Sequence, residues 1–213
     1  MFLLRRPTVF SHLRFVSTYG LTRKCPACSN PLPTPLPACS KCWNISSIPN
    51  DASFHDIFSL HGSNEFKIDT SLLKQRFREA QSVCHPDTWA SKGQDKQETA
   101  QLLSARINHA YQTLSNPLSR VEYILEKNGL PMSEEDKIED MEFLGEIMMR
   151  REEIQEADSR EEVEEIEAGN EERIADTVKE IERLVDEKKW EKVKEAGMRL
   201  RYLEGIRRAT RET

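Results

Sequence analysis

From Ala52 onward apolar residues recur at intervals of three and four, the repeat of amphipathic helices. Phe54, Ile57, Phe58 and Leu60 predict a short helix ending near His61-Gly62. Leu73, Phe77 and Ala80 predict a second, capped by Asp69 or Thr70, with Lys74, Arg76 and Arg78 turned to solvent. Pro86 disfavours helical geometry in its predecessor and stops that helix at Cys84. A third runs from about Asp95 to Leu114 with Leu103, Ile107, Ala110 and Leu114 on one face, and Asn116-Pro117 ends it. Val121, Ile124 and Leu125 mark a fourth, closed by Asn128-Gly129.

After Pro131 the chain turns acidic. Ser133 and Asp136 have the spacing of a capping box and predict the opening of a second helical unit. Phe143, Ile147 and Ile154 share one helical angle and form its core face, while Met141, Leu144 and Met148 form a second stripe about 100° away. Ile174, Val178, Ile181 and Val185 predict another helix, with the stretch around Val163 and Ile166 paired to it across Gly169-Asn170. Trp190, Val193, Ala196, Leu200 and Leu203 predict the last, on which Tyr202 points away from the Leu200/Leu203 face. The fold class is all-α, and the two helical units and the segment before them are expected to have separate cores.

Composition narrows the classes. The 213 residues are 37% hydrophobic, 7% aromatic and 32% charged, which suits small helical bundles rather than one large core. No run is long enough to cross a bilayer. The net charge of −6 argues against general nucleic-acid binding. That average hides an asymmetry, because the first acidic residue is Asp51. Residues 1–24 carry Arg5, Arg6, Arg14, Arg23 and Lys24 among Phe and Leu, the composition of a mitochondrial transit peptide, assigned to residues 1–20. A disordered basic tail is the alternative. Arg14 breaks the one apolar block that a secretory signal would need.

Cys25-Pro-Ala-Cys28 and Cys39-Ser-Lys-Cys42 form two CxxC pairs ten residues apart. Their thiolates suit tetrahedral Zn²⁺, and the loop SNPLPTPLPA between them has four prolines and nothing expected to nucleate a core, so residues 23–45 read as a metal-held module. Four cysteine ligands leave no position for water, which makes the zinc structural. Disulfides and a nucleic-acid-binding ribbon are the alternatives, disfavoured by a reducing compartment and by the loop's lack of basic and aromatic residues. The following NISSIPND reads as a linker.

The turn after the second helix reads His85-Pro86-Asp87. Two antiparallel helices joined by HPD, with a basic second helix and the later run INHAYQTLSNPLSRVEYILEKNG, resemble a J domain, here residues 53–129. The run from Ile107 to Gly129 resembles the J domain of HscB-type iron–sulfur co-chaperones, and the CxxC pairs resemble the eukaryotic mitochondrial members of that family. The resemblance implies that His85, Pro86 and Asp87, with Lys74, Arg76 and Arg78, engage a DnaK-type mitochondrial chaperone and stimulate its ATPase. A catalytic His/Asp pair with Cys84 as nucleophile is the competing reading. It lacks an oxyanion donor, and a thiol at the end of such a helix usually packs.

The same family uses a C-terminal three-helix bundle, here residues 132–211, to bind an IscU-type cluster scaffold. Matching FLGEIMMRREEIQE to that pattern implies scaffold contacts at Leu144, Met148, Glu152 and Glu156, with Tyr202 from the last helix. Gly145 and Met149 stand where larger apolar and acidic residues are common. The resemblance thus implies an L-shaped, zinc-bearing matrix co-chaperone, not itself an enzyme, which brings a cluster-loaded scaffold to the chaperone and promotes cluster transfer. Its rivals are a general protein-folding J-domain co-chaperone and a small metal-dependent hydrolase built on the cysteine module.

Overall fold

The computed structural model describes residues 23–212, so the basic segment read as a transit peptide lies outside the described residues. Among the described residues eight α-helices follow in order: α1 (Phe54–Phe58), α2 (Thr70–Cys84), α3 (Pro86–Trp89), α4 (Gln94–Ser115), α5 (Pro117–Lys127), α6 (Met141–Glu156), α7 (Arg160–Asp186) and α8 (Trp190–Glu212). Strand-type pairing is limited there to two isolated bridges, Lys24 with Pro31 and Ala38 with Ile45. None of these helices is long and apolar enough to cross a membrane.

Local chemistry sets most boundaries. Ser53 and Asp56 form a reciprocal capping box at α1, which ends at Ser59 in the left-handed region, ahead of the expected His61-Gly62. The Asp69 carboxylate accepts the N–H groups of Ser71 and Leu72 and starts α2. Asn116 caps α5, and Pro117 fills a first-turn position where its missing N–H costs nothing.

Two expectations fail here. Ser133 and Asp136 make one half of a capping box, the Ser133 N–H donating to Asp136 Oδ2 at 2.6 Å, but Ser133 Oγ takes the Glu135 N–H at 3.1 Å instead of that of Asp136, and no helix follows. The contacts close a turn, and α6 begins only after Asp140, whose carboxylate takes the Phe143 N–H. Nor does Gly169-Asn170 divide two helices. Helix α7 runs unbroken through it because Asn170 is buried and donates from Nδ2 to the Leu203 carbonyl of α8 at 3.0 Å, and packing overrides the weak local propensity. Arg207 on α8 grips Glu171 across the same seam.

The expectation of separate cores is also overturned. Leu73, Ala80 and Cys84 of α2 meet Leu103, Ile107, Ala110 and Leu114 of α4, and Leu36, Ala38 and Ile48 from the N-terminal segment are buried in the same cluster. The proline-rich loop therefore does supply core residues. Its neighbour is no free linker either: the Arg106 guanidinium donates to the carbonyls of Ile48, Asn50 and Ala52 at 2.9, 3.3 and 3.1 Å.

The second core joins Phe143, Ile147 and Ile154 of α6, Ile174 and Ile181 of α7 and Leu200, Leu203 and Ile206 of α8 to Val121, Ile124 and Leu125 of α5. Helix α5, the last of the hairpin unit, thus presents its apolar face to the bundle. Arg120 fixes it from the other side. Its buried guanidinium donates to the carbonyls of Leu114 and Phe66 at 2.7 and 2.8 Å, satisfying the end of α4 and the strap before α2 together. Asn64 on that strap donates to the Glu182 carbonyl of α7 at 2.8 Å.

Candidate functional site

The cysteine segment is built twice. In each half the N–H of the residue after the second cysteine donates to the carbonyl of the first, Ser29 to Cys25 at 2.8 Å and Trp43 to Cys39 at 3.0 Å. The first cysteine of each half takes its own N–H to an asparagine carbonyl, Cys25 to Asn30 at 2.8 Å and Cys39 to Asn44 at 2.9 Å. Ser29 and Trp43 both have positive φ, 58° and 57°. The two turns face each other so that the four sulfurs lie within 4.8 Å of one another, Cys25 to Cys42 at 3.5 Å and Cys28 to Cys39 at 3.8 Å. Four thiolates around a tetrahedral metal with bonds of about 2.3 Å would sit about 3.8 Å apart, so this group can hold a metal ion.

The protons of the four thiols are unequal. Asn30 Nδ2 donates to Cys28 Sγ at 3.0 Å and lowers that thiol to about 6, while the hydrogen bond shared with Cys28 raises Cys42 to about 12. Backbone N–H groups of Cys42 and Lys41 lower Cys39. Donors already aimed at two of the sulfurs favour, at Cys28 and Cys39, the thiolate form that a metal requires.

His85 closes α2 and caps α3 in one step: its imidazole Nδ1 accepts the Asp87 N–H at 3.3 Å, and Pro86 takes the first position of the short helix. The motif is a capped helical corner. Asp87 is 90% exposed and His85 54%, so both side chains face outward. Trp89, just beyond, is fully buried and donates from Nε1 to the Val83 carbonyl at 3.1 Å, tying the two sides of the corner together.

The basic row is smaller than expected. Lys74 and Arg78 are exposed one turn apart, but Arg76 lies about 200° around the helix from Lys74 and is half-buried, paired with Glu79 at 3.0 Å. Cys84 is no nucleophile. Its thiol is buried, donates to the Ala80 carbonyl at 3.1 Å and is pushed up to about 12 by burial.

On α6, Met141, Met148, Met149, Glu152 and Glu156 are exposed, whereas Leu144 is half-buried against the bundle core. Tyr202 is half-buried too, its ring edge-on to Phe143 at 6.1 Å. The structure therefore places Leu144 and Tyr202 at the margin of the core, with Met148 and the two glutamates farther along α6. Sequence reasoning missed Trp43, Trp89, Arg106 and Arg120. Trp89 had a signal, being a large apolar residue two positions past Asp87; the others looked like solvated or linker residues.

A helical hairpin with an outward His-Pro-Asp corner, sharing its last helix with an antiparallel bundle, defines a J-type co-chaperone. The family model described as the HSCB C-terminal oligomerisation domain matches residues 139–211. The mouse iron-sulfur cluster co-chaperone protein HscB is 33% identical over 170 residues, covering 79% of this chain and 71% of its own. A Vibrio vulnificus co-chaperone protein HscB homolog is 34% identical over 144 residues, covering 65% of this chain and 84% of its own. The crystal structure of human co-chaperone protein HscB superposes with a TM-score of 0.76 at 25% identity, covering 89% of this chain and 97% of that one. The chain belongs to the HscB family of co-chaperones that act in iron–sulfur cluster biogenesis.

Proposed function

We propose that this chain recruits an IscU-type iron–sulfur scaffold, presents it to a DnaK-type chaperone and stimulates that chaperone's ATPase through His85, Pro86 and Asp87. The single observation that carries this reading is the outward His-Pro-Asp corner, stapled by Trp89 and flanked by exposed Lys74 and Arg78. Asp87 is 90% exposed, with only His85 Nδ1 near one of its oxygens at 3.6 Å, so its carboxylate can form a charge-assisted pair with a partner's arginine. Lys74 and Arg78 steer an acidic partner towards it, and Arg76 supports the helix from its half-buried position.

Leu144, Met148, Glu152, Glu156 and Tyr202 form the scaffold surface, with apolar contact near the core margin and negative charge along α6. Cys25, Cys28, Cys39 and Cys42 hold a structural Zn²⁺, which fixes the module's two turns. The division of labour is residues 23–45 for metal, 53–129 for the chaperone and 132–211 for the scaffold. The chain performs no reaction of its own, since ATP is hydrolysed in its partner. The basic, acid-free residues 1–20 support import into the mitochondrial matrix.

Single-turnover ATP hydrolysis by a mitochondrial DnaK-type chaperone tests the reading. The full chain accelerates it, and His85→Gln abolishes the acceleration while scaffold binding, followed by calorimetry, persists. Normal stimulation by His85→Gln would overturn the assignment.

A further inference from the structure

The duplicated cysteine turns differ at one position in a way that metal binding alone does not require. The first turn puts Ser29 in the left-handed region, where a small polar residue is tolerated; the second puts Trp43 there, a bulky residue for which positive φ is a real outlier. The conformation aims the indole at the His-Pro-Asp corner. The ring of Trp43 meets that of Trp89 edge-on at 5.5 Å and 80°, and Lys92 Nζ stands 3.7 Å from the Trp43 centroid. Trp89 in turn holds Val83, so the chain of contacts runs from a cysteine ligand, through two aromatic rings, to both sides of His85–Asp87.

We propose that Trp43 is a positioning residue for the chaperone-binding corner, and that a metal in the tetracysteine site acts through it to order residues 84–92. This rests on the reading of His85–Asp87 as the chaperone contact and of the four cysteines as a metal site. The metal holds Cys39 and Cys42 together, that closure keeps Trp43 left-handed, and the left-handed turn seats the indole on Trp89. Releasing the metal removes the closure and lets Trp43 relax to negative φ, carrying its ring off Trp89. Leu36 and Ala38 remain buried among α2 and α4, so the module stays attached while the corner loosens. Coupling of this kind is reciprocal: loss of the Trp43 ring also weakens metal binding by the factor through which metal orders the corner.

Hydrogen–deuterium exchange on the full chain, followed at residues 84–92 with and without a zinc chelator, tests this, with metal content measured in parallel. Chelation should speed exchange there by about fivefold or more, the lower end of ordinary coupling between sites. Trp43→Ala, loaded with zinc, should already exchange fast and respond little to chelation, and should release zinc to a competing chelator more readily. Trp43→Phe, which keeps a ring, should restore much of the protection. Chaperone affinity should fall in the chelated protein and in Trp43→Ala alike. A zinc-bearing protein whose residues 84–92 exchange identically after chelation overturns the linkage alone, whereas a chain that holds no metal overturns it together with the metal-site reading.

Discussion

Gly197 of α8 lies so close to Met132 that a Cβ at residue 197 would stand 2.9 Å from the Met132 sulfur and 3.4 Å from Val121 Cγ1. The missing side chain lets α8 approach α5 where the hairpin unit joins the bundle. Gly197→Ala should change the unfolding midpoint little, because the Met132 thioether can swing aside and alanine returns up to about 1 kcal/mol of helix propensity. Gly197→Leu has no such escape against Val121 and should cost about 1–3 kcal/mol or more. Thermal unfolding of the two variants checks the contrast, and an equal loss in both would refute the close-approach account.

Cys39→Ser should release bound metal, seen by elemental analysis, and should also lower the melting temperature of the hairpin unit. The sequence alone suggested that the hairpin would be indifferent. Leu36 is fully buried with Leu73 and Leu114, so Leu36→Ala should by itself cost about 2–5 kcal/mol. A Leu36→Ala protein that melts like the parent would show the module to be a mere appendage.

His55 is buried with Nε2 donating to the Glu65 carbonyl at 2.8 Å and with Nδ1 unpartnered, and burial lowers its pKa from 6.5 despite the nearby Glu65 and Asp56. The unfolded chain therefore binds the proton more readily than the folded one. Stability from this group is complete above pH 6.5 and declines as pH falls below it through the depressed folded value. Urea unfolding at pH 7.5 and 5.5 should show a smaller acid loss in His55→Gln than in the parent protein. Identical losses would count against a neutral buried imidazole.

Met148 is 72% exposed, so Met148→Ala should leave stability within about 0.5 kcal/mol while weakening scaffold binding. Tyr202→Ala should do both, losing binding and about 1–2 kcal/mol of stability through its half-buried ring against Phe143. Calorimetric titration with scaffold beside a melting curve separates them. Unaltered affinity in both variants would remove this face of α6 from the scaffold surface.

Helix positions were legible from spacing because the 3.6-residue repeat states which face of a helix is buried, as at Leu103, Ile107 and Leu114. It does not state against what. Val121, Ile124 and Leu125 read as hairpin core and are bundle core, a fact held in the approach of α8 at Gly197 rather than in α5 itself. The same limit explains Gly169-Asn170, where the hydrogen bond to Leu203 comes from a residue 33 positions away. The four cysteines were legible as a group able to hold a metal because ligand spacing is local chemistry. Trp43 was not, since its partner Trp89 and the left-handed turn that aims it appear only in three dimensions.

The shared helix α5 means that the two arms of the molecule cannot be treated as interchangeable parts. Ending a fragment at Gly129 would leave Val121, Ile124 and Leu125 facing water, and starting one at Met132 would strip a wall from the bundle. A scanning calorimeter should accordingly record one cooperative transition rather than two, with the hairpin arm and the bundle arm melting as a single thermodynamic body.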